Sequence, residues 1–104
     1  MTVQINTDHN IEGHEALAAQ VRGIVENALS SVSDHITRVE VHLSDENSDK
    51  KSGRHDMRCM LEARLEGRQP IAVTNQAATL DQAIDGATDK LTRLIETTLG
   101  RRVR

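Results

Sequence analysis

Apolar and polar side chains alternate between residues 57 and 66, and this alternation constrains the fold more than any other feature of the chain. One parity carries Met57, Cys59, Leu61, Ala63 and Leu65, and the other carries Arg58, Glu62, Arg64 and Glu66. Successive side chains of a β-strand point to opposite faces of a sheet, so the segment predicts a strand with one buried and one solvated face. Cys59 is therefore expected to point inward, as a small core residue rather than a nucleophile.

Three more strands are predicted from the same kind of alternation. Their inward-facing residues are Val3 and Ile5 in the first strand, Val39, Val41 and Leu43 in the second, and Ile71 and Val73 in the fourth. Pro70 stands at the first position of the fourth strand, where a missing N–H is tolerated. The polar segment from 44 to 55 has no period and is expected to be a loop.

Two helices are predicted, over residues 14–33 and 80–99, because apolar residues recur there at spacings of three and four. Thr79 and Gln82 have the spacing of a capping box at the start of the second helix. Gly100 is typical of a helix end. Both helices therefore have one apolar face to pack.

The predicted order is β-α-β-β-β-α, which indicates an α+β fold: a four-stranded mixed sheet with two helices packed on one face. We expect the first strand to lie parallel to the second through a right-handed helical crossover. The polar residues of the second and third strands should leave the other face of the sheet to water. Residues 1–100 are expected to form this single domain, and residues 101–104 a basic C-terminal tail.

Composition limits the partners that the chain can bind. The 104 residues include no Phe, Tyr or Trp, and the formal net charge is −3. Without aromatic side chains on which bases can stack, sequence-specific reading of single-stranded RNA is disfavoured, and RNA binding would rest on a local basic patch. The single cysteine, the absence of an N-terminal signal pattern and the absence of an apolar run of about 20 residues predict a soluble cytoplasmic protein.

The segment from Thr79 reads Thr-Leu-Asp-Gln-Ala-Ile-Asp-Gly-Ala-Thr-Asp-Lys-Leu-Thr-Arg-Leu-Ile, and it resembles the second helix of the ribosome hibernation-promoting factor family. This family also includes ribosome-associated inhibitors and is called the sigma-54 modulation family. Ile11-Glu12, the Glu15-Ala16-Leu17 segment and the strand around Val41 agree with it, as does the order of elements. Because the chain ends just after the second helix, the resemblance is to a short form, without the C-terminal extension by which long members dimerise ribosomes.

The resemblance implies a function as well as a fold. Members bind the small ribosomal subunit and its ribosomal RNA in the decoding channel, where they block messenger and transfer RNA. They inhibit translation and preserve idle ribosomes under stress or starvation. The resemblance therefore implies a ribosome-associated factor with no catalytic activity.

Basic residues are the expected contacts to RNA phosphates. Lys90, Arg93 and Arg101 form a narrow stripe on a helical wheel, and Arg22 is the one basic residue between Gly13 and Asp34. The full predicted RNA-binding set is Lys90, Arg93, Arg101, Arg102, Arg22, Gly86, Lys50, Lys51 and Arg54. Gly86 is included because a helical glycine that faces outward can allow a close approach by an RNA backbone. An alternative is that cations near the end of the second helix only complement its dipole.

No metal, cofactor or small-molecule substrate is expected, and no membrane partner. The loop from 45 to 56 has oxygen ligands at alternate positions, as an EF-hand does, but Lys50 occupies the sixth position, where that loop needs glycine. The five histidines are scattered over separate segments, and none stands in a hydrolase, phosphate-loop or metal-ligand motif. The sequence therefore predicts a protein that binds a partner and is not an enzyme.

A second hypothesis concerns the wet face of the sheet. The chain could be a protein-interaction or oligomerisation module of the same fold that does not bind ribosomes, and a weak homodimer would then be expected. The residues that would carry this contact are Arg38, Glu40, Arg58, Glu62, Arg64 and Glu66. Charges of both signs on one face suit a symmetric, self-complementary contact, although solvated charge pairs would look the same in the sequence.

Overall fold

The structure is a computed structural model that describes residues 1–8, 11, 14–45 and 57–100. Its elements are strand β1 (Thr2–Thr7), helix α1 (His14–Ala28), a short 3-10 helix (Ser30–His35), strands β2 (Ile36–Asp45), β3 (Met57–Leu65) and β4 (Ile71–Ala77), and helix α2 (Leu80–Thr98). The predicted β-α-β-β-β-α order and the α+β class are confirmed. No helix in these described ranges is long and apolar enough to cross a membrane.

The four strands form one mixed sheet in the order β1-β2-β3-β4. β1 lies parallel to β2, as predicted, while β2 pairs with β3 and β3 with β4 in antiparallel fashion. Val41 stands between Ile5 and Leu61 in this register, and Leu61 stands beside Val73. The odd-numbered residues of β1, β3 and β4, and of β2 from Val39 onward, therefore share one face, which the helices cover, and we call it the covered face. The even-numbered residues of the same segments form the opposite face, which we call the open face. A register shift between Ile36 and Arg38 turns the even-numbered Ile36 inward at the start of β2.

The covered face and the inner sides of the helices form one aliphatic core. Fully buried residues come from both layers: Val39, Val41, Cys59, Leu61 and Ala63 in the sheet, and Val21, Val25, Ala83, Ile84, Ala87, Leu91 and Ile95 in the helices. Burying an aliphatic side chain of this size contributes about 1.5–3 kcal/mol. β2 and β3 are the central strands, so their covered-face residues are buried most completely.

Helix α1 is shorter than the prediction, which extended it to residue 33. It ends at Ala28, and residues Ser30–His35 form the 3-10 helix instead. Leu29 and Val32 are both buried and lie three residues apart, which matches the three residues per turn of a 3-10 helix as well as one turn of an α-helix. The apolar spacing could therefore not distinguish the two.

Strand β4 is longer than the two inward residues on which its prediction rested. It extends to Ala77 through Thr74, Asn75 and Gln76, three polar residues that interrupt the apolar alternation, and asparagine is depleted in strands. β2 likewise includes Ser44 and Asp45, which the prediction assigned to the loop. The remainder of that predicted loop, residues 46–55, lies outside the described residues.

Helix α2 has the ends that its sequence predicts. The Thr79 hydroxyl accepts a hydrogen bond from the backbone N–H of Gln82 at 3.1 Å, which satisfies one of the free N–H groups of the first turn. At the other end Gly100 has a positive φ of 74°, a conformation that favours glycine, and its N–H donates to the Thr97 carbonyl.

Candidate nucleic-acid interface

Lys90 lies on the flank of α2 that faces the outer edge of the sheet. Its ammonium group donates to the backbone carbonyl of Thr74 in β4, with an Nζ to O distance of 3.0 Å. β4 is an edge strand, and every second carbonyl of an edge strand points away from the sheet. The side chain is exposed, and the ammonium has three donors. Two of them are free for a phosphate while the contact with Thr74 persists.

Arg93 lies nearly one turn further along α2 and is exposed to solvent. Its Nε lies 3.4 Å from Oδ2 of Asp89, and the two side chains are 77% and 63% exposed. Ion pairs this exposed contribute about 0.3–0.5 kcal/mol on a helix. A phosphate can therefore replace Asp89 at little cost.

Neither Lys90 nor Arg93 stands in the last turn of α2, which ends at Thr98 without a basic residue in that turn. The interaction of a cation with the helix dipole is confined to the last turn. The alternative reading, in which these cations complement the dipole, therefore does not account for Lys90 and Arg93.

Arg22 stands apart from the other two cations. It projects from α1, and its guanidinium donates to the backbone carbonyl of Val3 in β1 at 3.5 Å. β1 and β4 are opposite edges of the sheet, separated by three strand spacings, or about 14 Å. The structure thus brings Lys90 and Arg93 together and places Arg22 at the far edge.

Gly86 faces strand β4 rather than open solvent. A Cβ at this position would overlap the side-chain amide of Asn75 and lie 2.6 Å from its Cγ. Asn75 uses that space to donate from Nδ2 to the carbonyls of Gln82 and Ala83, at 3.3 and 3.2 Å. The glycine therefore has a packing function, which is to let β4 approach α2.

Asn75 is the residue of this region that sequence reasoning missed. It occupies an odd position in β4, between Val73 and Ala77, where the covered face calls for an apolar side chain. The sequence signal for this contact has two parts. One is a polar residue at an inward position of a strand, and the other is a glycine inside the helix that packs on that strand. The signal can be read only if strand β4 is known to reach residue 75, and the apolar alternation predicts the strand no further than Val73.

Five of the predicted contacts lie outside the described residues: Lys50, Lys51 and Arg54 in the loop, and Arg101 and Arg102 in the tail. Helices α1 and α2 by themselves carry more negative than positive charge. Their six carboxylates are Glu15, Glu26, Asp81, Asp85, Asp89 and Glu96, and their three cations are Arg22, Lys90 and Arg93. Any attraction to a polyanion must therefore be local to the cations.

The one cysteine is a core residue. Cys59 is fully buried beneath the helices, and desolvation by burial raises the pKa of its thiol from 9.0 to about 12. A thiol with so high a pKa stays protonated at neutral pH and is a poor nucleophile. Across the ranges that the structure describes, no three side chains of His, Cys, Asp or Glu are grouped so as to hold a metal ion.

Residues 4–103 match the model of the family described as sigma 54 modulation protein / S30EA ribosomal protein. The chain belongs to this family. The match confirms the family resemblance seen in the sequence. Members of this family are ribosome-associated factors of the hibernation type and not enzymes, so the same holds for this protein. A search of curated proteins found no significant match.

Solved structures share the family fold. A ribosomal subunit interface protein from Coxiella burnetii superposes with a TM-score of 0.70 at 14% identity, over 97% of this chain and 100% of that one. The N-terminal domain of Thermus thermophilus Protein Y superposes with a TM-score of 0.67 at 24% identity, over 94% and 99% of the two chains. At these identities the similarity shows the fold alone.

Proposed function

We propose that this protein binds the small ribosomal subunit in its decoding channel, and that it inhibits translation and promotes hibernation under stress. The observation that carries the proposal is the family match over residues 4–103, which includes both helices, strands β2 to β4 and most of β1. A ribosomal subunit interface protein with the same fold supports it. Association with ribosomes implies a cytoplasmic location.

Ribosomal RNA is the expected ligand, and Lys90 with Arg93 is the primary contact. Both side chains are exposed on one side of α2, and each is held by a single weak interaction that a phosphate can replace or join. The phosphate backbone supplies most of the affinity in contacts of this kind, without sequence reading. An aliphatic protein without stacking side chains is suited to that mode.

The other predicted contacts extend this interface. Arg101 and Arg102 follow the end of α2 in the sequence, as part of the basic tail that we propose for residues 101–104 beyond a domain of residues 1–100. Arg22 would contact RNA separately, at the β1 edge. Lys50, Lys51 and Arg54 would do so from the loop. A role for Gly86 in RNA contact stays a prediction beside its packing role.

The experiment is co-sedimentation of the protein with purified small subunits over a series of salt concentrations. Each phosphate contact adds about 0.7–0.9 units to the slope of log affinity against log salt. Replacing Lys90 and Arg93 together with alanine should weaken binding and flatten this slope by about one to two units. Stability should change by less than about 0.5 kcal/mol, because both side chains are exposed.

Two matched controls carry charge changes of the opposite sign on the same helix. Asp81→Asn with Asp85→Asn removes negative charge at the far end of α2 and should leave binding unchanged or tighten it. Asp89→Asn releases Arg93 from its ion pair and should tighten binding. An unchanged salt slope in the Lys90/Arg93 double variant, with the fold intact, would reject these two residues as contacts. No sedimentation of the wild-type protein with small subunits at low salt would reject the proposed function itself.

A further inference from the structure

The register of the sheet aligns like charges on its open face. Arg38 in β2 stands directly opposite Arg64 in β3, and Glu40 stands directly opposite Glu62. The two arginines form a basic row across the central strands, and the two glutamates form an acidic row next to it. Residues two apart on a strand are about 6.7 Å apart, so the rows run side by side at this distance.

Contacts within the chain neutralise only the β2 half of these rows. Arg38 binds Glu40 at 3.2 Å and also donates to the side-chain oxygen of Gln4. Glu40 receives a second contact from His42, at 3.4 Å. In β3, neither Glu62 nor Arg64 has an ion pair with any residue that the structure describes. Like charges directly opposite each other destabilise a sheet, and no ion pair among the described residues offsets this repulsion at Glu62 and Arg64.

We propose that the open face binds a second copy of this chain through these rows. A two-fold axis that runs parallel to the rows and midway between them places each basic row over the acidic row of the other copy. Arg64 then faces Glu62 of the second copy, and Arg38 faces Glu40 of the second copy. The axis crosses the two central strands, so a single patch supplies both halves of a closed, self-complementary contact.

The size of the face predicts a weak dimer. Four strands with about 4.8 Å spacing and about seven residues each offer a surface of roughly 15 by 23 Å, which is well below the ~800 Å² per partner of a standard stable interface. Charged rows must also lose water when they meet, which offsets part of their attraction. The dimer should therefore form at high protein concentration and dissociate as salt is added.

This inference goes beyond the proposed function, because it uses the opposite side of the molecule. Lys90 and Arg93 belong to the helical layer, whereas the rows lie on the face that the helices leave open. Ribosome binding and self-association can consequently be lost independently of each other.

The test uses two variants, each with one charge of the rows reversed. Self-association is measured by sedimentation equilibrium at about 50 mM and about 500 mM salt. The wild-type protein should dimerise at low salt and dissociate at high salt. Arg64→Glu places two carboxylates over each other in a homodimer, and Glu62→Arg does the same with two guanidiniums. Each variant alone should dimerise more than about tenfold more weakly than wild type, since like charges in an interface cost several kcal/mol.

A mixture of the two variants decides the question. In a heterodimer, Glu at position 64 of the first variant faces Arg at position 62 of the second, and Glu62 of the first faces Arg64 of the second. Opposite charges therefore meet at both places, and the mixture should form a heterodimer about as tight as the wild-type dimer. Both variants stay net negative, since each substitution changes the net charge of −3 by two units, so general attraction between them cannot produce this result. The double variant Arg64→Glu/Glu62→Arg should also recover its homodimer.

Three outcomes would overturn the proposal: a wild-type protein that is monomeric at low salt, single variants that dimerise as well as wild type, or a mixture that stays monomeric. Because both positions lie on the solvated face, the variants should fold, and circular dichroism checks this. If a charge reversal unfolds the chain, Arg64→Gln and Glu62→Gln replace it, and each should weaken the wild-type dimer severalfold. Small-subunit binding should be retained in all of these variants, and this readout separates the two proposals.

Discussion

The covered and open faces of the sheet come from the same strands and the same register, yet they differ in what their cross-strand pairs contribute. On the covered face Val41 stands opposite Leu61, and both are fully buried. One residue away on the open face, Glu40 stands opposite Glu62. Each buried aliphatic side chain stabilises the folded protein by about 1.5–3 kcal/mol. A cross-strand charge pair changes stability by only about 0.2–1 kcal/mol, favourably for opposite charges and unfavourably for like charges. The covered face therefore sets the register, and the open face accepts the charge pairs that result.

The largest expected effect is on the covered face. Leu61→Ala should lower the free energy of unfolding by about 2–5 kcal/mol, because it leaves a cavity at the centre of the core. Urea denaturation followed by circular dichroism measures this. A loss below about 1 kcal/mol would show that the core around Leu61 collapses without strain, and that the covered face does not dominate the register.

The next effect concerns Asn75, the polar residue on the covered face. Gly86→Ala forces the Asn75 amide away from α2 and breaks its two hydrogen bonds, whereas Gly23→Ala adds a methyl group in open space. Alanine at position 23 should stabilise the protein by about 0.5–1 kcal/mol, and alanine at position 86 should leave it about 1–3 kcal/mol less stable than the Gly23→Ala variant. Equal stabilisation by both substitutions in denaturant titrations would contradict the close contact.

The third effect is a pH dependence carried by Cys59. Burial raises the pKa of its thiol in the folded protein from 9.0 to about 12, so above pH 9 the unfolded chain loses a proton that the folded protein keeps. This contribution to stability is complete below pH 9. It should fall by up to about 1.4 kcal/mol per pH unit as the pH rises toward 12.

Cys59→Ala is the matched variant for that measurement, because it removes the titrating group from the same position. Unfolding free energies of both proteins at several pH values above 9 should therefore diverge, with the wild type losing stability faster. Parallel pH profiles would mean that Cys59 ionises in the folded protein as easily as in the unfolded chain.

The smallest effect is expected on the open face. Glu62→Gln relieves the repulsion with Glu40 and removes the attraction to Arg64 on the same strand, so the two changes offset each other. Its unfolding free energy, measured at a protein concentration below that of self-association, should differ from wild type by less than about 0.5 kcal/mol. A loss comparable to that of Leu61→Ala would mean that both faces determine the register.

Local patterns predicted most of the fold and only part of the candidate interface. The parity of residues 57–65 placed Cys59 and Leu61 inward and Glu62 and Arg64 outward, as the structure shows. The α1 prediction failed past Ala28, because a 3-10 helix presents the same apolar spacing. For the interface, the helical wheel predicts that Lys90 and Arg93 lie near each other on α2. It could not show that Lys90 reaches a carbonyl of β4, a contact with a residue 16 positions away.

The sequence by itself determined the type and order of the strands and main helices and the side of each that is apolar, but not their ends, because periods of 2 and 3.6 residues are properties of the local backbone. Only the tertiary structure decided the pairing partners. Arg38 stands opposite Arg64, and Asn75 packs against Gly86, because the strand order and register bring distant segments together. That register follows from the summed burial of the whole covered face, a quantity that no single segment of the sequence contains.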